Sequence, residues 1–145
     1  MLRQFLVGGG VSLINIAIHS MIMATVVGVA QRAGASRLIH PSLFLAAVMI
    51  PIVSVLMATH TAEVLVWALA YRWVDAAPAN AQLVYFAFVN FATLGYGDVV
   101  PVDRWKLLGP ITAMNGALLF GWSTAVIFEV LRRTMERGAA TPESR

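Results

Sequence analysis

Two groups of residues in this sequence have types and spacings that can do chemistry. In Thr93-Leu94-Gly95-Tyr96-Gly97-Asp98 two glycines bracket a tyrosine, and glycine takes positive φ without steric cost. Glycines at alternate positions let consecutive carbonyls turn to one side of an extended backbone, where a row of oxygens can replace the water around a cation. The second group is His60 and Glu63, flanked by Thr59 and Thr61 inside an apolar run. At i, i+3 spacing the pair shares a helical face and can interact with each other or with groups behind them. Zinc takes three or four ligands, so two alone do not make a metal site. An enzyme built on the pair needs a third polar group that the sequence does not identify. Structural support or a proton-sensitive contact is the better reading of these residues.

The elements that position these groups must be membrane elements. Of 145 residues 59% are hydrophobic and 12% charged, with a mean hydropathy of +0.78, against roughly 25% charged in an average soluble domain. Cysteine is absent, which excludes disulfides, thiolate metal sites and cysteine nucleophiles. A net charge of +3, with basic residues at the ends of apolar runs, argues against nucleic-acid binding and reads as topology signals.

Residues 5–30 carry no charge and exceed the roughly 20 apolar residues that cross a bilayer. Ser12, Asn15 and His19 fall at three- and four-residue spacing and predict a face turned toward other helices. The run is too long for a signal peptide. Residues 31–40, with Arg32, Arg37 and His40, read as a connecting loop. Pro41 suits the first turn of a second span, Leu43 to about Trp73, in which Pro51 predicts a bend. After the breaker-rich Asp75 to Asn80, Pro78 is placed to open a short helix over 79–92, too short to span. A last span runs from Leu107 to about Leu131, with Asn115, Gly116 and Gly121 as small or polar breaks, and residues 138–145 read as a short disordered tail.

With this context in place, TLGYGD resembles the potassium-channel signature sequence, and residues 43–131 resemble the outer helix, pore loop and inner helix of that family. The resemblance implies an all-α membrane protein of three transmembrane helices with a re-entrant pore helix, assembled as a homotetramer, the first span being an addition. It implies K+ sites made by the backbone oxygens of Thr93, Leu94, Gly95 and Tyr96 and the Thr93 hydroxyl, with Gly95 and Gly97 permitting their orientation. Tyr96 would pack behind the filter and Asp98 would stand at the outer mouth. Leu94 stands where many relatives have Val or Ile, Asn90 and Ala92 where they often have threonine, and Tyr85 and Phe86 where they have tryptophans. Tyr85 has a hydroxyl within possible reach of Asp98, and Asn90 is a second candidate for filter support. Asn115, Gly116, Leu118, Gly121, Ala125 and Glu129 are candidates for a hinge and inner pore lining, with Glu129 forming an acidic ring in a tetramer.

No span repeats arginine at every third position, so no voltage sensor of the usual kind is expected. No cytoplasmic ligand-binding domain and no cofactor are expected either; K+ is the permeating ligand, and the partners are other copies of the chain and the bilayer. Arg132, Arg133 and Arg137 together with Arg32 and Arg37 predict a cytoplasmic C-terminus and an N-terminus outside a cell membrane. The rival expectations are a poorly selective monovalent cation channel and a non-conducting regulatory or assembly subunit.

Overall fold

The computed structural model describes residues 1–32 and 41–139, and the side chains of 1–29 and 43–136. Four helices follow in order: α1 (Leu2–Arg32), α2 (Pro41–Val74), α3 (Leu83–Phe91) and α4 (Leu108–Ala139), with a 3-10 turn at Asp103–Trp105. No strand occurs among the described residues. α1, α2 and α4 are long and apolar enough to cross a membrane, as expected of segments whose backbone groups must all be bonded internally in lipid. This is an all-α, multi-pass membrane architecture.

The spans are longer than the apolar runs alone suggest. Gln31 and Arg32 extend α1 rather than opening the loop, and α4 continues to Ala139 through residues 138 and 139 that read as tail. The remainder of that loop, including Arg37 and His40, and residues 140–145 lie outside the described residues. α2 begins at Pro41 and remains helical through Pro51.

The short helix differs most from expectation. It starts at Leu83, four residues after the expected start, because Pro78 opens a turn instead: the Ala81 amide donates to the Pro78 carbonyl at 2.9 Å. α2 closes just before this turn with Asp75 at φ 50°, the Ala76 amide donating to Tyr71 at 2.9 Å and the Asp75 amide to Arg72 at 3.4 Å. The Val102 amide reaches back to the Ala76 carbonyl at 2.8 Å, so both ends of the segment carrying α3 and the glycine loop are held together.

α1 runs parallel to α4. The Leu107 amide donates to Gln4 Oε1 at 2.7 Å, and Asn15 and His19 meet Asn115 and Ser123 further along. α2 is antiparallel to both: Tyr71, Trp67 and His60 bond Thr112, Asn115 and Ser123 in turn. The main apolar core gathers Trp67, Tyr71, Phe86, Phe91, Leu108 and Leu119 around the short helix. A second cluster of Met23, Val26, Ile52, Leu56 and Val130 closes the other end of the bundle. Outward-facing Leu13, Met21, Met57, Leu69, Leu118 and Phe128 are exposed, a surface suited to lipid or to further copies of the chain.

Candidate ion pathway and its polar support

The glycine loop grows directly out of the end of α3. The Thr93 amide donates to the Asn90 carbonyl at 3.0 Å and the Leu94 amide to the Val89 carbonyl at 2.9 Å. This is the Schellman pattern, which requires a left-handed residue just beyond the helix cap. Thr93 supplies it with φ 60°. Gly95 follows at φ 60° and Gly97 at φ 77°, so positive φ recurs at every second residue from Thr93 to Gly97. The sequence assigns that conformation to the glycines alone; Thr93 is β-branched and strained there by about 1–3 kcal/mol. The alternation re-aims successive peptide units, which is the backbone requirement for carbonyls sharing one side.

Beyond the loop, the Tyr85 hydroxyl donates to Asp98 Oδ2 at 2.6 Å, while Asp98 Oδ1 accepts from the Val99 amide at 3.0 Å. Tyr85 and Asp98 therefore meet as their types suggested. The hydrogen bond to the Asp98 carboxylate, with its nearby charge, pushes the Tyr85 hydroxyl above the usual phenol range. Asn90 differs: its Nδ2 donates to the Phe86 carbonyl of its own helix at 3.0 Å, and it meets the loop through its backbone carbonyl and not through its side chain.

On α4 the expected breaks do not interrupt the helix. A Cβ on Gly116 would stand 2.0 Å from the Phe91 carbonyl oxygen, so this glycine seats the end of α3 against α4. Asn115 is buried and accepts from Trp67 Nε1 at 3.0 Å and from Asn15 Nδ2 at 3.2 Å, joining all three long helices. Leu118, Gly121 and Ala125 share an exposed face. Glu129 lies beside that face but is not a free carboxylate: Arg132 Nε and Nη2 donate to its two oxygens at 3.0 Å each, and Arg133 Nε donates to Oε1. Any acidic ring it forms also carries those guanidinium groups.

His60 and Glu63 are joined, with Nδ1 to Oε2 at 2.8 Å, and the third polar group is His19 of α1, whose Nδ1 lies 2.9 Å from Glu63 Oε1. The far nitrogens of both rings converge on Ser123 Oγ, His60 Nε2 at 3.0 Å and His19 Nε2 at 3.5 Å. A closed ring of four side chains results. His19 and Glu63 are fully buried, and the rings lie 5.5 Å apart in a stacked arrangement. The order Ser123, His60, Glu63 is also that of a hydrolytic relay, but Ser123 sits inside α4 at 5% exposure, with the surrounding backbone amides committed to the helix and so unable to supply an oxyanion site. The missed signal was the Asn15 and His19 spacing, which marks a buried face without naming what it meets.

A family model described as "Ion channel" matches residues 59–133, a little over half of the chain. The chain belongs to this ion channel family. No curated protein and no solved structure matches it. The matched stretch takes in the C-terminal part of α2, the short helix, the glycine loop and most of α4, while α1 lies outside it. The helix outside the match, α1, packs against the matched stretch, and three of the four helices contribute to the ring around Glu63.

Proposed function

We propose that the channel conducts K+ selectively through a homotetrameric pore in which each chain contributes Thr93 to Gly97 as one wall of the filter. The observation that carries this reading is the alternation of positive φ at Thr93, Gly95 and Gly97 directly after a nine-residue helix. In this arrangement the oxygens of Thr93, Leu94, Gly95 and Tyr96, with the Thr93 hydroxyl, form successive cation sites. The C-terminus of α3 faces the start of the loop, and its partial negative charge of about half an electron favours a cation there. Asp98, held by Tyr85, borders the outer mouth. Leu118, Gly121 and Ala125 line the inner passage, with Gly121 as the flexible point and Glu129 with its arginines at the end.

The family module is residues 43–131 and α1 is its peripheral addition. Basic residues at the end of α4 support a cytoplasmic C-terminus, with the glycine loop outside, in a cell membrane. The N-terminus shares the loop's side, since α1 begins beside Leu107 at the start of α4. No cofactor takes part, and K+ is both ligand and cargo.

The test is flux from liposomes containing the purified protein, under K+ and Na+ gradients in parallel, beside Gly95→Ala. The expected result is K+ flux well above Na+ flux, abolished by Gly95→Ala because an L side chain at φ 60° is strained. Equal K+ and Na+ flux would indicate a poorly selective channel. No flux from the wild-type chain alone would indicate a subunit that needs a partner.

A further inference from the structure

We propose that His19, His60 and Glu63 form a binding site for a divalent transition-metal ion of the zinc type, which clamps α1 to the family module. Their ligand atoms all lie within 4.8 Å of one another. Two imidazoles and one carboxylate are a recognised zinc set, bound at about 2.0–2.2 Å, so sub-ångström to ångström shifts of three side chains bring them to one ion. Imidazole suits zinc among the divalent ions and carboxylate does not oppose it.

The hydrogen count of the ring is met in two ways, by one imidazolium and one neutral imidazole around the Glu63 carboxylate, or by two neutral imidazoles around a bound cation. Each imidazole points Nδ1 at a different oxygen of Glu63 and Nε2 at the same oxygen of Ser123. If both rings are neutral with hydrogen on Nδ1, two Nε2 lone pairs face one hydroxyl that has a single hydrogen to give. If both carry hydrogen on Nε2, Ser123 accepts from each, but the two Nδ1 lone pairs then face a carboxylate, an arrangement that needs a cation between them. A divalent ion in that position takes the place of both Nδ1 hydrogens. Both imidazoles stay neutral, Glu63 supplies the anionic ligand, and both Nε2 hydrogens donate to Ser123 Oγ. Metal-bound histidines almost always donate their other ring hydrogen in this way, and the partner fixes their tautomer.

The surroundings give the site an entrance and a consequence. His19 and Glu63 are enclosed, whereas the His60 side chain keeps 15% of its surface exposed, and it is the ligand that turns to admit an ion. Its ring packs edge-on against Phe120 at 4.7 Å and lies 6.2 Å from Phe91, the last residue of α3. An ion that fixes the His60 ring thus fixes a neighbour of the helix end from which the loop departs. The site is independent of which ion the pore passes.

The test uses the chelator-treated full chain in detergent, titrated with Co2+ alone as a spectroscopic substitute and then with Zn2+ alone. About one Co2+ per chain should bind, with visible ligand-field bands of a low-coordinate nitrogen and oxygen site, and Zn2+ should displace it. Ser123→Ala keeps every ligand and the oligomer's elution volume, and should weaken binding about 10–100-fold. His19→Gln and Glu63→Gln should abolish the bands. Absence of bands in the wild type overturns the proposal even if those two variants fail to fold, as does an affinity unchanged in Ser123→Ala.

Discussion

A side-chain carbon placed on Gly116 would come within 2.0 Å of the Phe91 carbonyl oxygen, whereas one placed on Gly121 would meet nothing within 4 Å. Gly116 and Gly121 therefore have different physical roles within α4. Gly116→Ala must push the end of α3 away, at about 1–3 kcal/mol for overpacking, and should lower both the yield of assembled protein in size-exclusion chromatography and its flux. Gly121→Ala should assemble normally and gain up to about 1 kcal/mol from helix propensity. A change in its open probability in single-channel records would then report its role as a flexible point.

Asn115 and Asn15 are bonded to each other, but their removal should not be equivalent. Asn115→Ala leaves the buried Trp67 Nε1 without its acceptor and Asn15 Nδ2 with the Glu63 carbonyl alone, and a buried unsatisfied group costs about 1–3 kcal/mol. Asn15→Ala removes a donor and leaves Asn115 still occupied by Trp67. Thermal unfolding in detergent should therefore show a larger loss for Asn115→Ala; equal losses would deny the hub role.

Thr93 takes the left-handed conformation that the end of α3 demands. Thr93→Gly should relieve about 1–2 kcal/mol of that strain while deleting the hydroxyl proposed to bound an ion site. We expect thermal stability at or above wild type together with reduced K+ over Na+ preference in liposome flux. A drop in stability would show that the threonine side chain contributes packing that outweighs its backbone strain.

The Tyr85 and Asp98 bond predicts a pH window. Because the folded state raises the Tyr85 hydroxyl above its ordinary value near 10, the stabilisation is complete below that value and is lost as pH rises through the higher folded one. Melting temperatures of wild type and Tyr85→Phe should differ by a constant amount at neutral pH and converge only in strong alkali. At neutral pH Tyr85→Phe should assemble but lose conduction faster under sustained flux. Convergence beginning below pH 9 would contradict the raised hydroxyl.

Glu129→Gln removes a carboxylate bound by two guanidinium groups. The change therefore leaves Arg133 without its carboxylate and Arg132 with Glu136 alone, rather than merely deleting an acidic charge. Single-channel cation conductance should fall at low salt and recover as salt rises and screens the arginines. Conductance independent of salt in the variant would place Glu129 away from the ion path.

The three spans were legible because a bilayer imposes a length and an apolar composition that few other contexts require, and the loop because glycine at alternate positions has few other uses. Less visible was the start of α3, since Pro78 serves a turn as readily as a first helical residue. The sequence offers an oxygen and a hydroxyl at Thr93 but not its left-handed backbone, which is set by the hydrogen bonds that end the helix before it. The ring around Glu63 was hidden by separation: His19 is 44 residues away and Ser123 is 63 residues beyond His60, and helical periodicity tells which face is buried but not which helix it meets. Asn115 likewise read as a weak point in α4 until its partners on α1 and α2 turned it into a junction.

The parallel pairing of α1 with α4, from Gln4 at Leu107 to the distal cluster that holds both Val26 and Val130, has a mechanical corollary. In the proposed tetramer, an outward swing of α4 would carry α1 with it and displace acyl chains at a larger radius. In the proposed pore, the work of opening would then include a lateral-area component set by the bilayer.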